Sequence, residues 1–349
     1  MSHRKITIAN REVGEGCPMF IIAEVGLAHE GSLGVAHAFI DALAETGVGA
    51  VKFQTHMANY ESSAYEQFRV KVFPQDDTRY DYWERTAFTA QQWRELAEHA
   101  EKVGLMFLSS PFSNEAVDLL EECGVPAWKV ASGEVTNLPM LRKMAATGKP
   151  ILLSSGMSSW TELDEAVGWL DEMGAEYGMF QCTTSYPCPP ETWGLNILGE
   201  LKERYNCCTG LSDHSGEIFA GLASCAVGAS MLEVHVTYSH AQFGPDVKSS
   251  LTFEQLTQQV QGIRQIETSV FNPVNKDEVA KSKAETRKLF SKSLYAASEL
   301  KEGSVIREDD LLIRKPLIGV PAAGFGDLVG KTLTKTIPQG EPIHAGDFQ

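Results

Sequence analysis

The chain has no run of about 18 apolar residues, so nothing in it reads as a helix that would span a bilayer. Its opening stretch, MSHRKITIAN, lacks the apolar centre of a secretory leader. Cysteine is sparse. Cys17, Cys123, Cys182, Cys188, Cys207, Cys208 and Cys225 are odd in number, scattered, and include no CxxC pair. That pattern reads as reduced, buried thiols in a cytoplasmic protein rather than a disulfide framework. Positive charge is short: 30 Lys and Arg stand against 46 Asp and Glu, a net charge of −16. Such a balance argues against a partner that is nucleic acid or an anionic membrane. It leaves room for an anionic small molecule at a local basic site. No GxGxxG follows the first strand-like run, so the main fingerprint of a dinucleotide-binding open sheet is missing.

What is present suits a globular protein of two parts. A chain of 349 residues with 43% hydrophobic and 22% charged residues has ample material for a core. From residue 20 to about 270, short apolar runs alternate with longer amphipathic stretches. The runs begin at Phe20, Ala50, Leu105, Ala127, Pro150, Gly178, Cys207 and Met231. Between them lie helical patterns such as AQQWRELAEHAEKVG and TELDEAVGWLDEMG, which end in Gly where a left-handed cap belongs. Eight β-then-α repeats over about 250 residues are the arithmetic of a (β/α)8 barrel. The segment from Thr55 to Phe88 breaks the rhythm after the second strand and falls on the catalytic rim. KITIANREVG reads as a hairpin plugging the opposite mouth. The expected domains are 1–270 as barrel, 271–289 as a charged linker with some helix, and 290–349 as a small β-rich domain, marginal alone by size.

Barrel enzymes build their sites at the C-terminal ends of the strands. There the sequence places Glu24, Lys52, Gln54, Ser110, Lys129, Ser132, Glu134, Ser154, Thr184, Tyr186, Ser212, His214, Glu233 and His235. Lysine is rarely buried without a partner. One reading of Lys52 is a tie across the barrel to Glu24. The other is an anion seat. Lys129 with Ser132, Ser154, Thr184 and Ser212 supplies a cation and several hydroxyl donors, as a phosphate requires, and Lys52 with Ser110 faces a second anionic group. A Schiff-base lysine is the rival role. His214 and His235 end neighbouring strands and can share one cation, or form a hydrogen-bonded or acid–base pair. The other seven histidines, His29 and His56 among them, read as rim contacts only. Gly244 and Pro245 form a turn that presents Asp246, either to substrate hydroxyls or as a helix cap.

At this point the sequence resembles the sialic acid (nonulosonate) synthase family, which includes N-acetylneuraminate, legionaminate and pseudaminate synthases. The resemblance is carried, in family order, by IIAEVGLAHEGS, VKFQTH, SSPFS, WKVASGE, ILLSSGM, CTTSYP, GLSDHS, LEVHVT and GPDVKSSL. The tail is similar to the antifreeze-like, or SAF, domain through SLYAASELKEGSVIREDDL and VGKTLTKTIPQGEPI. The resemblance implies a metal-dependent transferase, using Mn2+ or Mg2+. Phosphoenolpyruvate would condense with an open-chain N-acylated hexosamine, N-acetylmannosamine or a 2,4-diacetamido relative. The products would be a nine-carbon 2-keto-3-deoxy acid and phosphate, with C–O cleavage. It implies that Lys129, Ser132, Ser154, Thr184 and Ser212 hold the phosphate, and Lys52 and Ser110 the carboxylate. His214 and His235 would hold the metal. Gln54, Glu134, Tyr186 and Asp246 would face the sugar, with Glu24 and Glu233 at the reacting centre.

The tail departs from the pattern. Many family members carry Arg-Pro-Gly there, the Arg reaching the sugar N-acyl group of a neighbouring subunit. Here Lys315-Pro316-Leu317 aligns with it, preceded by Arg314, and Thr184 stands where some members have Asn. The resemblance thus implies a domain-swapped homodimer with Arg314 or Lys315 at the sugar. Two other functions fit the residues: a Schiff-base aldolase on the same barrel, and a non-catalytic sugar-binding protein using its tail.

Overall fold

The computed structural model describes residues 4–70 and 74–349. The chain forms two compact units, Met1–Asn272 and Pro273–Gln349. In the first, eight parallel strands alternate with helices. They are β1 (Phe20–Gly26), β2 (Ala50–Thr55), β3 (Met106–Pro111), β4 (Trp128–Val130), β5 (Ile151–Ser154), β6 (Tyr177–Cys182), β7 (Cys208–Asp213) and β8 (Met231–Val236). The hydrogen-bonded path runs β3-β2-β1-β8-β7-β6-β5-β4, and its two ends lie side by side, giving a nearly closed barrel.

Period-two alternation sorts the strand residues into two cores. Phe20, Ile22, Ala50, Leu108, Leu152, Phe180 and Met231 point inward. They pack with Ile6, Ile8 and Val13 of the hairpin Lys5–Ile8/Arg11–Gly14, which fills the barrel interior from one end. Ile21, Val51, Phe107, Leu153, Met179 and Val234 point outward, under the helices. Two or four residues further along, the inward positions become Glu24, Lys52, Gln54, Ser110, Lys129, Ser154, Ser212 and Glu233. The same alternation that builds an apolar floor therefore places a polar layer above it.

Local signals fix the helix ends. Thr89 with Gln92, Ser159 with Glu162 and Thr252 with Gln255 form capping boxes at three helix starts. After Ala90–Lys102 the chain turns through Gly104 at φ 86, with Leu105 N–H donating to Ala100 C=O at 2.8 Å. That is the left-handed termination expected from the sequence.

The rim segment after β2 has structure of its own. Helices Ala58–Glu61 and Arg79–Thr86 build a satellite apolar cluster of Ala58, Tyr82 and Trp83 with Leu27, Phe68 and Tyr80. Residues 71–73 of that segment, like 1–3 of the opening stretch, lie outside the described residues. Among the described residues, all seven cysteines are free thiols, and no helix is long and apolar enough to cross a membrane.

The second unit begins with two short helices, Lys276–Ser282 and Ala284–Phe290, in the stretch where the sequence suggests a linker. Its strands Ser293–Ala296 and Leu311–Arg314 pair antiparallel over a core that includes Leu294, Leu300, Ile306, Leu333, Ile337 and Ile343.

Candidate active site

The polar layer is a connected set of ions. Lys52 and Glu24 are register partners on β2 and β1, with Nζ 2.8 Å from Oε2. Lys52 Nζ also lies 3.5 Å from Glu233 Oε1, and Lys129 Nζ lies 3.3 Å from Glu233 Oε2. All four side chains are at least 95% buried. Each lysine donates to its own hydroxyl: Lys52 to Ser110 at 3.2 Å, Lys129 to Ser154 at 2.6 Å. Ser212 donates to Glu233 at 3.3 Å, and the Lys129 ammonium sits 4.9 Å over the Phe180 ring. The tie from Lys52 to Glu24 and the two cation–hydroxyl pairs are thus both present.

Burial and neighbours separate the two carboxyls. Burial raises the proton affinity of Glu24, with Glu233 adding to it against Lys52. Burial acts the same way on Glu233, but Lys129 and Lys52 outweigh it and hold that carboxyl low. Burial lowers the proton affinity of Lys129, partly opposed by Glu233. For Lys52, Glu233 and Glu24 overcome burial and keep the ammonium charged.

His214 and His235 stand beside this layer with ring centroids 5.2 Å apart. Burial, then the neighbouring His235, pushes His214 well below the usual imidazole range, so it offers neutral nitrogens. Its Nδ1 is buried without a hydrogen-bond partner, and its Nε2 lies 3.0 Å from the Tyr186 hydroxyl. Among the described residues no cage of three or more His, Cys, Asp or Glu side chains is arranged for a metal. The pair fits a divalent cation as a two-ligand platform that leaves positions for solvent and substrate.

Above the layer a cavity of about 390 Å³ opens, lined by Gln54, Ser132, Thr184, Tyr186, His235 and Asp246, with Arg69 and Arg79 from the rim. Several expected residues prove to be tied to one another here. Gln54 donates to Glu24 at 2.8 Å, and Ser132 donates to Cys182 Sγ at 3.3 Å rather than to the lysine layer. Glu134, in the short turn Ser132–Glu134, accepts from Asn137 at 2.8 Å, and burial raises its proton affinity. Asp246 caps no helix through its side chain. It accepts instead from Arg69 at 2.7 Å, and the Arg69 guanidinium stacks 4.3 Å over the Tyr186 ring.

Arg314 and Lys315 belong to the second unit. Both are exposed, and the Lys315 ammonium lies 5.1 Å over Phe290. The sequence pointed to neither Arg69 nor a structured role for His56. Arg69 sits in a charged stretch without periodicity, which carries no signal of its own. His56 is sandwiched between Trp83, at a centroid distance of 3.6 Å, and Phe112, at 4.2 Å.

Known proteins resemble this chain in sequence and in fold. The NeuB family model matches residues 39–274 and the SAF domain model residues 291–349. N,N'-diacetyllegionaminic acid synthase of Campylobacter jejuni is 35% identical over 93% of this chain and 98% of its own. Human N-acetylneuraminate-9-phosphate synthase is 31% identical over 95% of this chain and 93% of its own. The crystal structure of N-acetylneuraminic acid synthetase from Leptospira borgpetersenii, in complex with citrate, superposes with a TM-score of 0.73 at 27% identity, covering 82% of this chain and 97% of that one. With the barrel, its polar layer and these matches together, the chain belongs to the NeuB family and is a sialic acid synthase-type transferase that carries a SAF domain after its barrel.

Proposed function

We propose that this enzyme condenses phosphoenolpyruvate with the aldehyde of an open-chain N-acylated hexosamine, N-acetylmannosamine or a 2,4-diacetamido relative. The products are a nine-carbon 2-keto-3-deoxy acid and phosphate. The observation that carries this reading is the pair of buried lysines, each with its own serine, flanking one shared carboxylate. Two cation–hydroxyl seats suit a small molecule with two anionic ends. The legionaminic, N-acetylneuraminic and pseudaminic acid synthases among the relatives support the same chemistry.

In this reading Lys129 and Ser154, with Ser132, Thr184 and Ser212 around them, take the phosphate, and Lys52 and Ser110 the carboxylate. Fixing both ends aims the terminal enol carbon at the aldehyde, so the gain is one of orientation. Gln54, Glu134, Tyr186 and Asp246 hold the sugar. Two lysines and two carboxylates sum to zero charge, so a multiply charged anion entering the layer calls for a further cation. His214 and His235 would hold a Mn2+ or Mg2+ ion, which when bound polarises the aldehyde oxygen. As the new C–C bond forms, positive charge develops at the carbon bearing phosphate. Glu233, kept ionised by its lysines, stabilises it. Water adds there, its proton passing to Glu24, the carboxyl whose environment favours protonation, which returns it to the alkoxide left on the former aldehyde oxygen. The tetrahedral intermediate then collapses with C–O cleavage and releases phosphate.

The test is a panel of N-acylated hexosamines, each assayed with phosphoenolpyruvate for 2-keto acid. Phosphoenolpyruvate labelled with 18O in the bridging position should deliver that label to phosphate. Absence of keto acid with every acceptor overturns the reading. Lys129, whose proton affinity burial lowers, favours a second reading, a Schiff-base aldolase. Borohydride with a keto substrate would then trap the enzyme covalently. We further propose a cytoplasmic homodimer in which Arg314 and Lys315 serve the sugar site of the partner copy. Mixing a His235→Ala protein with an Arg314→Ala/Lys315→Ala protein under subunit exchange should recover activity if they do.

A further inference from the structure

A buried histidine that the reaction above does not use is wired, through Gln54, to a glutamate that it does use. His56 follows β2 by one residue, and its side chain is about 95% buried. Its ring lies parallel to Trp83 within 10° and to Phe112 within 16°, so it is clamped from both sides. Arg79 covers the outer face of Trp83 at 4.6 Å, and Glu66 anchors that layer by accepting from Trp83 Nε1 at 3.1 Å. In its own plane the imidazole has a partner at each nitrogen. Nδ1 lies 2.6 Å from Glu61 Oε1, and Nε2 lies 3.3 Å from Gln54 Oε1. The Gln54 amide in turn donates through Nε2 to Glu24 Oε1 at 2.8 Å.

Donor and acceptor counting gives this row a direction. An ionised carboxylate only accepts, and Glu24 stands 2.8 Å from the Lys52 ammonium. Gln54 must therefore turn its NH2 to Glu24, which leaves its carbonyl oxygen facing His56. A carbonyl also only accepts, so Nε2 of His56 must carry a hydrogen. Nδ1 then meets the Glu61 carboxyl with one proton between them, on whichever of the two groups it resides. A phenylalanine in the same sandwich would keep the stacking and supply neither hydrogen bond.

We propose that His56 is a positioning residue: held by Glu61 and the Trp83–Phe112 sandwich, it donates through Nε2 to Gln54 and locks that carboxamide with its NH2 toward Glu24. The lock has two effects. It supplies Glu24 with a second donor opposite Lys52, so the carboxylate keeps one orientation in the reacting layer. It also fixes Gln54, whose amide lines the acceptor cavity. Without His56 the amide can turn over and set its oxygen against the carboxylate. The effect on turnover rests on the condensation proposed above, whereas the hydrogen-bond assignment does not.

The deciding measurement is 15N NMR of the whole protein labelled at histidine, with the His56 signals assigned by their loss in His56→Phe. Nε2 is expected in the protonated, pyrrole-like range with an N–H coupling, in the absence of any substrate. A bare, pyridine-like Nε2 would mean that Gln54 is turned the other way, and it overturns the proposal whether or not the enzyme is active. The second measurement is steady-state kinetics of His56→Phe. Acceptor kcat/KM should fall by about tenfold or more, the value of one oriented hydrogen bond, with the KM for phosphoenolpyruvate within about twofold. Unchanged acceptor kinetics, or a KM for phosphoenolpyruvate that rises in step, also overturns it. If the variant does not fold, the His56 ring signals of uniformly 13C,15N-labelled unaltered protein, assigned by through-bond correlation to the residue's own backbone, still decide.

Discussion

Glu233 Oε2 lies 3.3 Å from the Nζ of Lys129 while the carboxylate's other oxygen lies 3.5 Å from that of Lys52, so one side chain bridges two buried ammonium groups. Removing one partner of a buried ion pair costs about 3–5 kcal/mol, because the remaining charge is left uncompensated. Glu233→Gln should therefore lower thermal stability as well as abolish turnover. An added anion would restore the missing negative charge. Inorganic phosphate should raise the melting temperature of Glu233→Gln by more than it raises that of the unaltered protein. An equal or smaller rise in the variant would show that the lysines are not short of a partner there.

Lys129 separates the anion seat from a merely structural tie. In Lys129→Ala the phosphate end of phosphoenolpyruvate loses a desolvated, charge-assisted donor, at a cost of about 2–5 kcal/mol in capture. Ser154→Ala, which removes only the hydroxyl bonded to that ammonium, should cost about 1 kcal/mol in the same direction. Initial rates against phosphoenolpyruvate concentration give both values. A normal KM in Lys129→Ala would make that lysine structural.

The histidine platform predicts metal dependence with no spare ligand. Chelator should abolish turnover, and Mn2+ or Mg2+ should restore it. His214→Ala and His235→Ala should each lose Mn2+ binding as read by electron paramagnetic resonance, independently of any rate. Retained Mn2+ binding in either variant would place the metal elsewhere.

What the sequence made legible was whatever depends on position along a strand. Glu24, Lys52, Lys129 and Glu233 are visible as polar residues at the far end of apolar runs, and strand alternation carries them into the barrel. The choice between an ion pair and an anion seat for Lys52 was not legible, because β1 and β2 bring Glu24 and Ser110 to it together. The rim was opaque for a different reason. The partners of His56 are Trp83 and Phe112, 27 and 56 residues away, and only the packing of the long segment over the barrel brings them to it. Arg69 likewise meets Asp246 across 177 residues. No local period encodes such a contact.

His29 predicts an acid limb in stability. Burial, with the nearby His56, lowers its pKa from 6.5 to about 3, and its Nδ1 accepts from Gly31 N–H at 3.1 Å, which fixes the neutral form. The ring also stacks on Phe88 at 4.6 Å. Between pH 6.5 and about 3 the unfolded chain binds a proton at this residue that the folded chain does not. Stability is therefore lost as pH falls through that window, by roughly 2 kcal/mol between pH 6.5 and 5 for one such group. Urea melts of the protein and of His29→Leu at both pH values isolate the effect. The variant should lose less on acidification, and an identical loss would remove His29 from the account.

Arg69 predicts a specificity effect confined to the acceptor. Its guanidinium pairs with Asp246 at 2.7 Å and covers the Tyr186 ring at 4.3 Å, so one rim residue bridges two residues assigned to the sugar. Arg69 is 45% exposed at its side chain and Asp246 29%, so solvent screens the pair and its contribution to stability is small. Its value lies in placement. Arg69→Ala should raise the acceptor KM by about tenfold while leaving the KM for phosphoenolpyruvate unchanged, because the anion seats lie below, on the strands. Arg69→Lys keeps the charge but not the planar face that stacks on Tyr186, so its acceptor KM should fall between those of the Ala variant and the unaltered enzyme. If the two residues act as one clamp, Asp246→Ala added to Arg69→Ala should raise the acceptor KM by less than the product of the single effects. Fully multiplicative effects would mean that Arg69 and Asp246 meet the acceptor separately, and a matching rise in the KM for phosphoenolpyruvate would mean that Arg69 holds the barrel mouth rather than the sugar.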